Sequence, residues 1–204
     1  ADFIPMDSLP ARMTYERAYE LLLDMRDSNM NIIRIWGGGY YPDFLFDICD
    51  DLGILVWQDL MFGCAQYPNF DYFHQEVQEE LESQITRMKH HASLALYCGD
   101  NEDFEAINWF SFTPEHKKWL KNEYKTFNLF LKGLIEKYDP SRRFWPSSPS
   151  DGTFNYPEQG AWSKQTMGDM HYWEVWHGGQ PFESFYTIKP RFCSEFGYQS
   201  YSSL

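Results

Sequence analysis

What the 204 residues lack excludes several chemistries. The four cysteines, Cys49, Cys64, Cys98 and Cys193, form no C-x-x-C pair and no zinc-site spacing, so they read as buried free thiols. No apolar run approaches the roughly 18 residues needed to cross a bilayer, and no membrane partner is expected. Positive charge is scarce. Against 30 Asp and Glu stand only 17 Lys and Arg, a net charge of −13 that would repel nucleic-acid phosphates or an anionic membrane surface. No G-x-G-x-x-G follows a strand pattern to open a helix, and the Gly37 to Gly39 triplet does not continue into one, so the dinucleotide fingerprint is absent. Among six histidines there is no H-x-H at a strand end, and no metal or organic cofactor is expected. His90 and His91 fall at the end of a predicted helix, where they complement its dipole.

What is abundant is apolar and aromatic. At 43% hydrophobic residues the chain can bury the core of one domain, and at 19% aromatics, with 8 Trp, 14 Tyr and 17 Phe, it has rings to spare. Most of these rings build core. Trp and Tyr also suit stacking on sugars, whose C–H faces are apolar while their rims carry hydroxyls.

Helix and strand patterns alternate along the chain. Thr14 caps a helix predicted over 15–28, with Tyr15, Ala18, Tyr19, Leu22 and Met25 on one face. A short apolar strand follows over 31–36. Pro42 opens a helix carrying Leu45, Ile48, Cys49 and Leu52, which Gly53 ends before a strand over 54–58. A helix over 72–90 buries Val77, Leu81, Ile85 and Met88, and a strand over 93–98 comes next. The helix over 114–138 carries Leu120, Tyr124, Phe127, Leu131, Leu134 and Tyr138; short strands are expected near 144–145, over 167–172 and over 191–195. Apolar strands separated by amphipathic helices specify an α/β fold with a parallel sheet.

Two such architectures compete, an open doubly wound sheet and a closed (β/α)₈ TIM barrel. Polar residues favour the barrel, whose chemistry gathers at the C-terminal ends of its strands. Each predicted strand finishes that way: Arg34 and Trp36; Gln58 and Asp59; Asp100, Asn101 and Glu102; Ser147; His171, Tyr172 and Trp173; Ser194 and Glu195. Ordinary loop polarity would scatter these over both ends. Two glutamates ending apolar strands of one barrel are the pair that glycoside hydrolysis needs, one to protonate the departing oxygen and one to attack the anomeric carbon or activate water.

At these residues the sequence resembles the β-mannosidases of glycoside hydrolase family 2, in the clan of retaining (β/α)₈ glycosidases. Four blocks carry the likeness: Arg34-Ile-Trp-Gly-Gly-Gly-Tyr-Tyr-Pro42, Asp50-Asp-Leu-Gly-Ile-Leu-Val-Trp-Gln-Asp-Leu-Met-Phe-Gly-Cys-Ala65, Cys98-Gly-Asp-Asn-Glu102 and Phe192-Cys-Ser-Glu-Phe-Gly-Tyr-Gln199. The resemblance implies an exo-acting retaining hydrolase of terminal β-mannosyl residues. Glu102 would be its acid/base and Glu195 its nucleophile. Asn101 would hydrogen-bond the sugar 2-hydroxyl, Arg34 would hold Glu195 ionised, and Tyr172 would hydrogen-bond it; Trp36, His171 and Trp173 would line the first sugar subsite. The family commonly has Asn where this chain has Asp100, which is expected to face solvent. A β-mannoside oligosaccharide or glycan is the implied partner.

The same likeness implies that residues 1–204 form a single partial TIM-barrel catalytic domain, holding about strands 2–7 of eight. The segment 1–11 reads as the loop after the first strand, and the family's β-sandwich domains lie outside the chain. Two other readings remain: another family 2 β-glycosidase, such as a β-galactosidase, β-glucuronidase or exo-glucosaminidase, and a catalytically silent carbohydrate-binding fragment.

Overall fold

The computed structural model describes residues 1–4, 6–7, 9–37, 39–154 and 166–198. Gly38 and Gln199, members of two of the blocks above, lie outside the described residues. Each helix arises from an apolar stripe and a local stop. In α1 (Tyr15–Asp27) Ala18, Leu22 and Met25 are buried, and the Thr14 hydroxyl accepts from Arg17 N–H at the first turn. In α2 (Asp43–Leu52) the inner face is Leu45, Phe46, Ile48 and Cys49, and Gly53 ends it at φ 71°, a left-handed conformation that a side chain would strain. α3 (Asp71–Met88) buries Val77, Leu81, Ile85 and Met88. The 25-residue α5 (Pro114–Tyr138) is capped by Thr113, whose hydroxyl accepts from His116 N–H.

The strands between these helices form a five-stranded parallel sheet in chain order: β1 (Asp2–Phe3), β2 (Ile32–Ile35), β3 (Leu55–Asp59), β4 (Leu94–Cys98) and β5 (Arg143–Trp145). A second, two-stranded sheet pairs β6 (Met170–Tyr172) with β7 (Cys193–Phe196), also in parallel. One apolar cluster joins the first sheet to its helices, with Leu22, Ile33, Ile35, Leu45, Phe46, Ile48, Val56, Leu81, Ile85 and Leu131 shut off from solvent. Burying each such side chain contributes about 1.5–3 kcal/mol.

Four features depart from the sequence reading. Asp2–Phe3, read as loop, pairs with Arg34 and Ile35. A short helix missing from that reading, α4 (Asp103–Trp109), follows Glu102 and packs Phe104 and Ile107 on Leu120 and Tyr124 of α5. His91 is buried, with Nδ1 2.8 Å from Asp50 instead of facing a helix end. Of the thiols, Cys49 and Cys98 are buried, Cys193 is partly covered and Cys64 is exposed. No described helix is long and apolar enough to cross a membrane.

Candidate active site

Parallel strands aim their C-terminal ends the same way, so residues at those ends meet. Arg34 leaves β2 nine-tenths or more buried, and its guanidinium serves three carboxyl or amide groups at once. Nε and Nη2 donate to Asp59 at 3.1 and 2.8 Å, Nη1 donates to Glu195 at 2.6 Å, and Nη2 also donates to Asn101 Oδ1 at 2.7 Å. Burial alone would lower the guanidinium's pKa. The carboxylates of Asp59 and Glu195 outweigh it and hold Arg34 above its ordinary value. Asp59 is fully enclosed; burial pushes its carboxyl up against the pull of Arg34, and it also accepts from Trp57 Nε1 at 2.8 Å and Gly37 N–H at 3.2 Å.

Glu195, on β7, is caged by donors. Besides Arg34, Oε1 accepts from Trp36 Nε1 at 3.0 Å and Oε2 from Trp173 Nε1 at 3.1 Å. Glu102 is the more open of the pair, its side chain 17% exposed against 7% for Glu195. It begins α4 with φ 62°, in the left-handed region where a non-glycine residue is strained. Its Oε1 lies 2.5 Å from His171 Nδ1, and its Oε2 accepts weakly from the Cys64 thiol at 3.7 Å. The same His171 nitrogen is 3.4 Å from Glu195 Oε2. An oxygen of each glutamate and a ring nitrogen of His171 therefore lie within 4.8 Å of one another. That spacing would also suit a cation, but Nδ1 is already bonded to Glu102 and Glu195 Oε2 to Trp173.

The arrangement gives a caged carboxyl group and a second, more accessible one across a gap a few ångströms wide, ringed by indoles. A separate cavity of about 460 Å³ touches Arg34 from among Asp2, Ile32, Trp57, Phe192 and Phe196, and borders neither Glu102 nor Glu195. Burial pushes the Asp2 carboxyl there up to about 6, opposed by Arg34.

No family model matches the chain. Among curated proteins it is 36% identical over 212 residues to β-mannosidase B of Aspergillus fumigatus, which covers 98% of this chain and 24% of that protein. It is 34% identical over 214 residues to β-mannosidase B of Thermothelomyces thermophilus, covering all of this chain and 24% of that one. Among solved structures, β-D-mannosidase from Dictyoglomus thermophilum superposes with a TM-score of 0.83 and 37% identity over 97% of this chain and 23% of its own. These likenesses fit a part of a β-mannosidase of glycoside hydrolase family 2. The chain spans about a quarter of the length of the curated relatives it matches.

Set beside these relatives, the positions singled out in the sequence divide in two. Arg34, Trp36, Asn101, Glu102, His171, Trp173 and Glu195 come together through the contacts above. Asn101 is fully enclosed, its Oδ1 taken by Arg34 and its Nδ2 donating to Cys64 Sγ at 3.4 Å. Tyr172, expected to hydrogen-bond Glu195, is buried with its ring edge-on to Phe185, while Arg34, Trp36 and Trp173 supply the bonds to Glu195. Alternation along β6 accounts for this: His171 faces the glutamates, so its neighbour faces away.

Asp100 corrects a second expectation. It does not face solvent but is 1% exposed, accepting from Ser147 Oγ at 2.6 Å, Tyr124 Oη at 2.9 Å, Asn128 Nδ2 at 3.3 Å and Asp103 N–H at 3.2 Å. Burial pushes its carboxyl up to about 7 despite those donors. Three residues absent from the sequence reading of the site also matter: Cys64 beside Glu102, and Ser148 and Asp169 behind His171. Asp59 was visible only as one more strand-end carboxylate.

Proposed function

We propose that the chain carries the catalytic centre of a retaining exo-β-mannosidase. The observation that carries the reading is the meeting of Glu102 and Glu195, 93 residues apart in sequence, with His171 Nδ1 2.5 Å from one and 3.4 Å from the other. Retaining glycosidases hold their carboxyl groups roughly 5–5.5 Å apart, inverting ones roughly 6.5–9.5 Å. Oxygens within 4.8 Å favour the former.

In this reading the Glu102 carboxyl gives its proton to the glycosidic oxygen as a Glu195 oxygen attacks carbon 1. The C1–O bond breaks and a glycosyl ester forms on Glu195. Water then attacks carbon 1, its proton passes to Glu102, the ester bond breaks, and mannose leaves with its β-configuration kept. Arg34, Trp36 and Trp173 fix both oxygens of Glu195 for that attack, and the indoles offer faces for a sugar ring. The likeness to β-mannosidases over nearly the whole chain supports mannose over galactose, glucuronate or glucosamine.

We also propose the (β/α)₈ barrel as the frame. A doubly wound sheet reverses its strand order, whereas these five strands run in chain order. The Arg34–Glu195 ion pair and the stacking of Trp57 on Phe192 at 5.9 Å tie β2 and β3 to the neighbourhood of β7, as closure requires. Relatives about four times as long favour further strands and flanking domains that complete the pocket.

Hydrolysis of a nitrophenyl glycoside panel, with product configuration followed by proton NMR, tests the reading. The β-mannoside should be the best substrate and β-mannose the first product. First release of α-mannose would refute retention, and preference for another sugar would refute the substrate.

A further inference from the structure

His171 sits where the neighbouring protons can be counted. Behind it, Asp169 is 2% exposed and four donors converge on its two oxygens. Oδ1 accepts from Trp145 Nε1 and Ser150 N–H, both at 2.8 Å, and Oδ2 from the hydroxyls of Ser148 at 2.7 Å and Ser194 at 2.6 Å. A serine has one proton to give. Ser148 gives its own to Asp169, yet its Oγ is also 2.9 Å from His171 Nε2. That contact is a hydrogen bond only if Nε2 carries the hydrogen. In a neutral ring Nδ1 is then a bare lone pair, and it points at Glu102 Oε1 from 2.5 Å. Two lone pairs do not approach so closely, so a proton lies between them.

We propose that Asp169, acting through Ser148, fixes His171 as the Nε2–H tautomer, so that Nδ1 accepts and aims the acidic proton of Glu102. Asp169 and Ser148 are positioning residues for the acid, which neither of them touches. The inference rests on Glu102 being that acid. When Glu102 gives its proton to the departing oxygen, the O–H bond breaks, a new one forms on the leaving group, and the Nδ1 lone pair is left facing a carboxylate. The proton arriving from the attacking water removes that unfavourable contact, so the tautomer that presents the proton in the first step also draws one back in the second. Around this pair stand the Cys64 thiol, Glu195 with its Arg34, and the Trp173 indole.

Asp169→Asn is the discriminating variant. Trp145 Nε1–H and Ser150 N–H can only donate, so they keep the amide oxygen on their side and turn the NH₂ toward the serines. The Ser148 hydroxyl is then free to donate to Nε2, and the ring hydrogen moves to Nδ1. Nitrogen NMR of ¹⁵N-histidine-labelled protein reads this directly, with the His171 signal identified by its loss in His171→Gln. Hydrogen on Nε2 and none on Nδ1 is expected in the parent, and the reverse in Asp169→Asn. That variant should also lose roughly 10²–10⁴-fold on mannosides with poor leaving groups, the usual contribution of a general acid, and little on a dinitrophenyl mannoside, which departs without protonation.

A parent ring protonated at Nδ1, alone or with Nε2, overturns the proposal. So does an unchanged tautomer in folded Asp169→Asn, or an equal loss on both leaving groups. Should that variant not fold, Ser148→Ala leaves Nε2 without its acceptor and should give mixed tautomers; a pure Nε2–H signal there counts against the proposal. If the parent hydrolyses no mannoside, the functional reading fails, and the nitrogen spectrum still decides the tautomer.

Discussion

The five-stranded sheet and the two-stranded sheet are held by different forces. Around β1 to β5 a continuous apolar cluster joins residues between Phe3 and Phe144. Between residues 166 and 198 the buried apolar side chains are only Tyr172 and Val175, while Trp176, Phe182, Tyr186, Phe192, Phe196 and Tyr198 are exposed. Apart from the stack of Trp57 on Phe192, what fastens this second part to the first is polar: Arg34 on Glu195, His171 on Glu102, and Trp145, Ser148 and Ser150 on Asp169. The first region supplies the apolar core together with Arg34, Asn101 and Glu102, the second supplies His171 and Glu195, and the proposed site lies along their seam. A seam of directed hydrogen bonds fixes side-chain geometry more tightly than apolar packing does, at the cost that each missing partner leaves a buried group unsatisfied.

Substitutions can break this contrast. The largest effect is expected at its hinge. Arg34→Met leaves the enclosed Asp59 and Glu195 without their cation and should cost about 3–5 kcal/mol, with loss of turnover, in urea unfolding and activity assays. Within the first region, Ile33→Ala in the closed core should cost about 2–5 kcal/mol. Val175→Ala in the second region, buried but outside both apolar clusters, should cost only about 1–2 kcal/mol. Equal losses at positions 33 and 175 would erase the distinction.

A smaller effect sharpens it. The Asp100 carboxyl, pushed up to about 7 from an ordinary 3.8, keeps its proton in the folded chain after the unfolded chain has lost its own. Its contribution is fully present below the ordinary carboxyl range and is lost as pH rises from about 4 through about 7. Asp100→Asn should flatten that part of the stability curve, by a few degrees in Tm between pH 5 and pH 8 at roughly 2–4 °C per kcal/mol. An unaltered curve would mean that Asp100 is already ionised at pH 5.

The same contrast explains what could be read in advance. Helices such as α3 and α5 and strands such as β3 and β4 lay in the periodicity, because one apolar cluster demands a regular stripe from each of them. Helix α4 did not. It has only seven residues and starts at Glu102 without a capping side chain, a conformation that no local signal announces. At the site, Arg34, Glu102 and Glu195 stood out as charged residues ending apolar strands. Which way Tyr172 turns was not available, since a shift of one residue along β6 exchanges it with His171. Asp100 looked like a solvated carboxylate because its donors, Tyr124, Asn128 and Ser147, come from elements that meet only in the fold. Hydroxyl hubs such as Ser148 leave no trace in composition or spacing.

The most direct test of the central claim is Glu195→Ala assayed with a dinitrophenyl β-mannoside, without and with azide. The account predicts no turnover alone and, with azide in the vacated space, release of dinitrophenol with formation of α-mannosyl azide. Undiminished hydrolysis without azide, or formation of β-mannosyl azide, would contradict it.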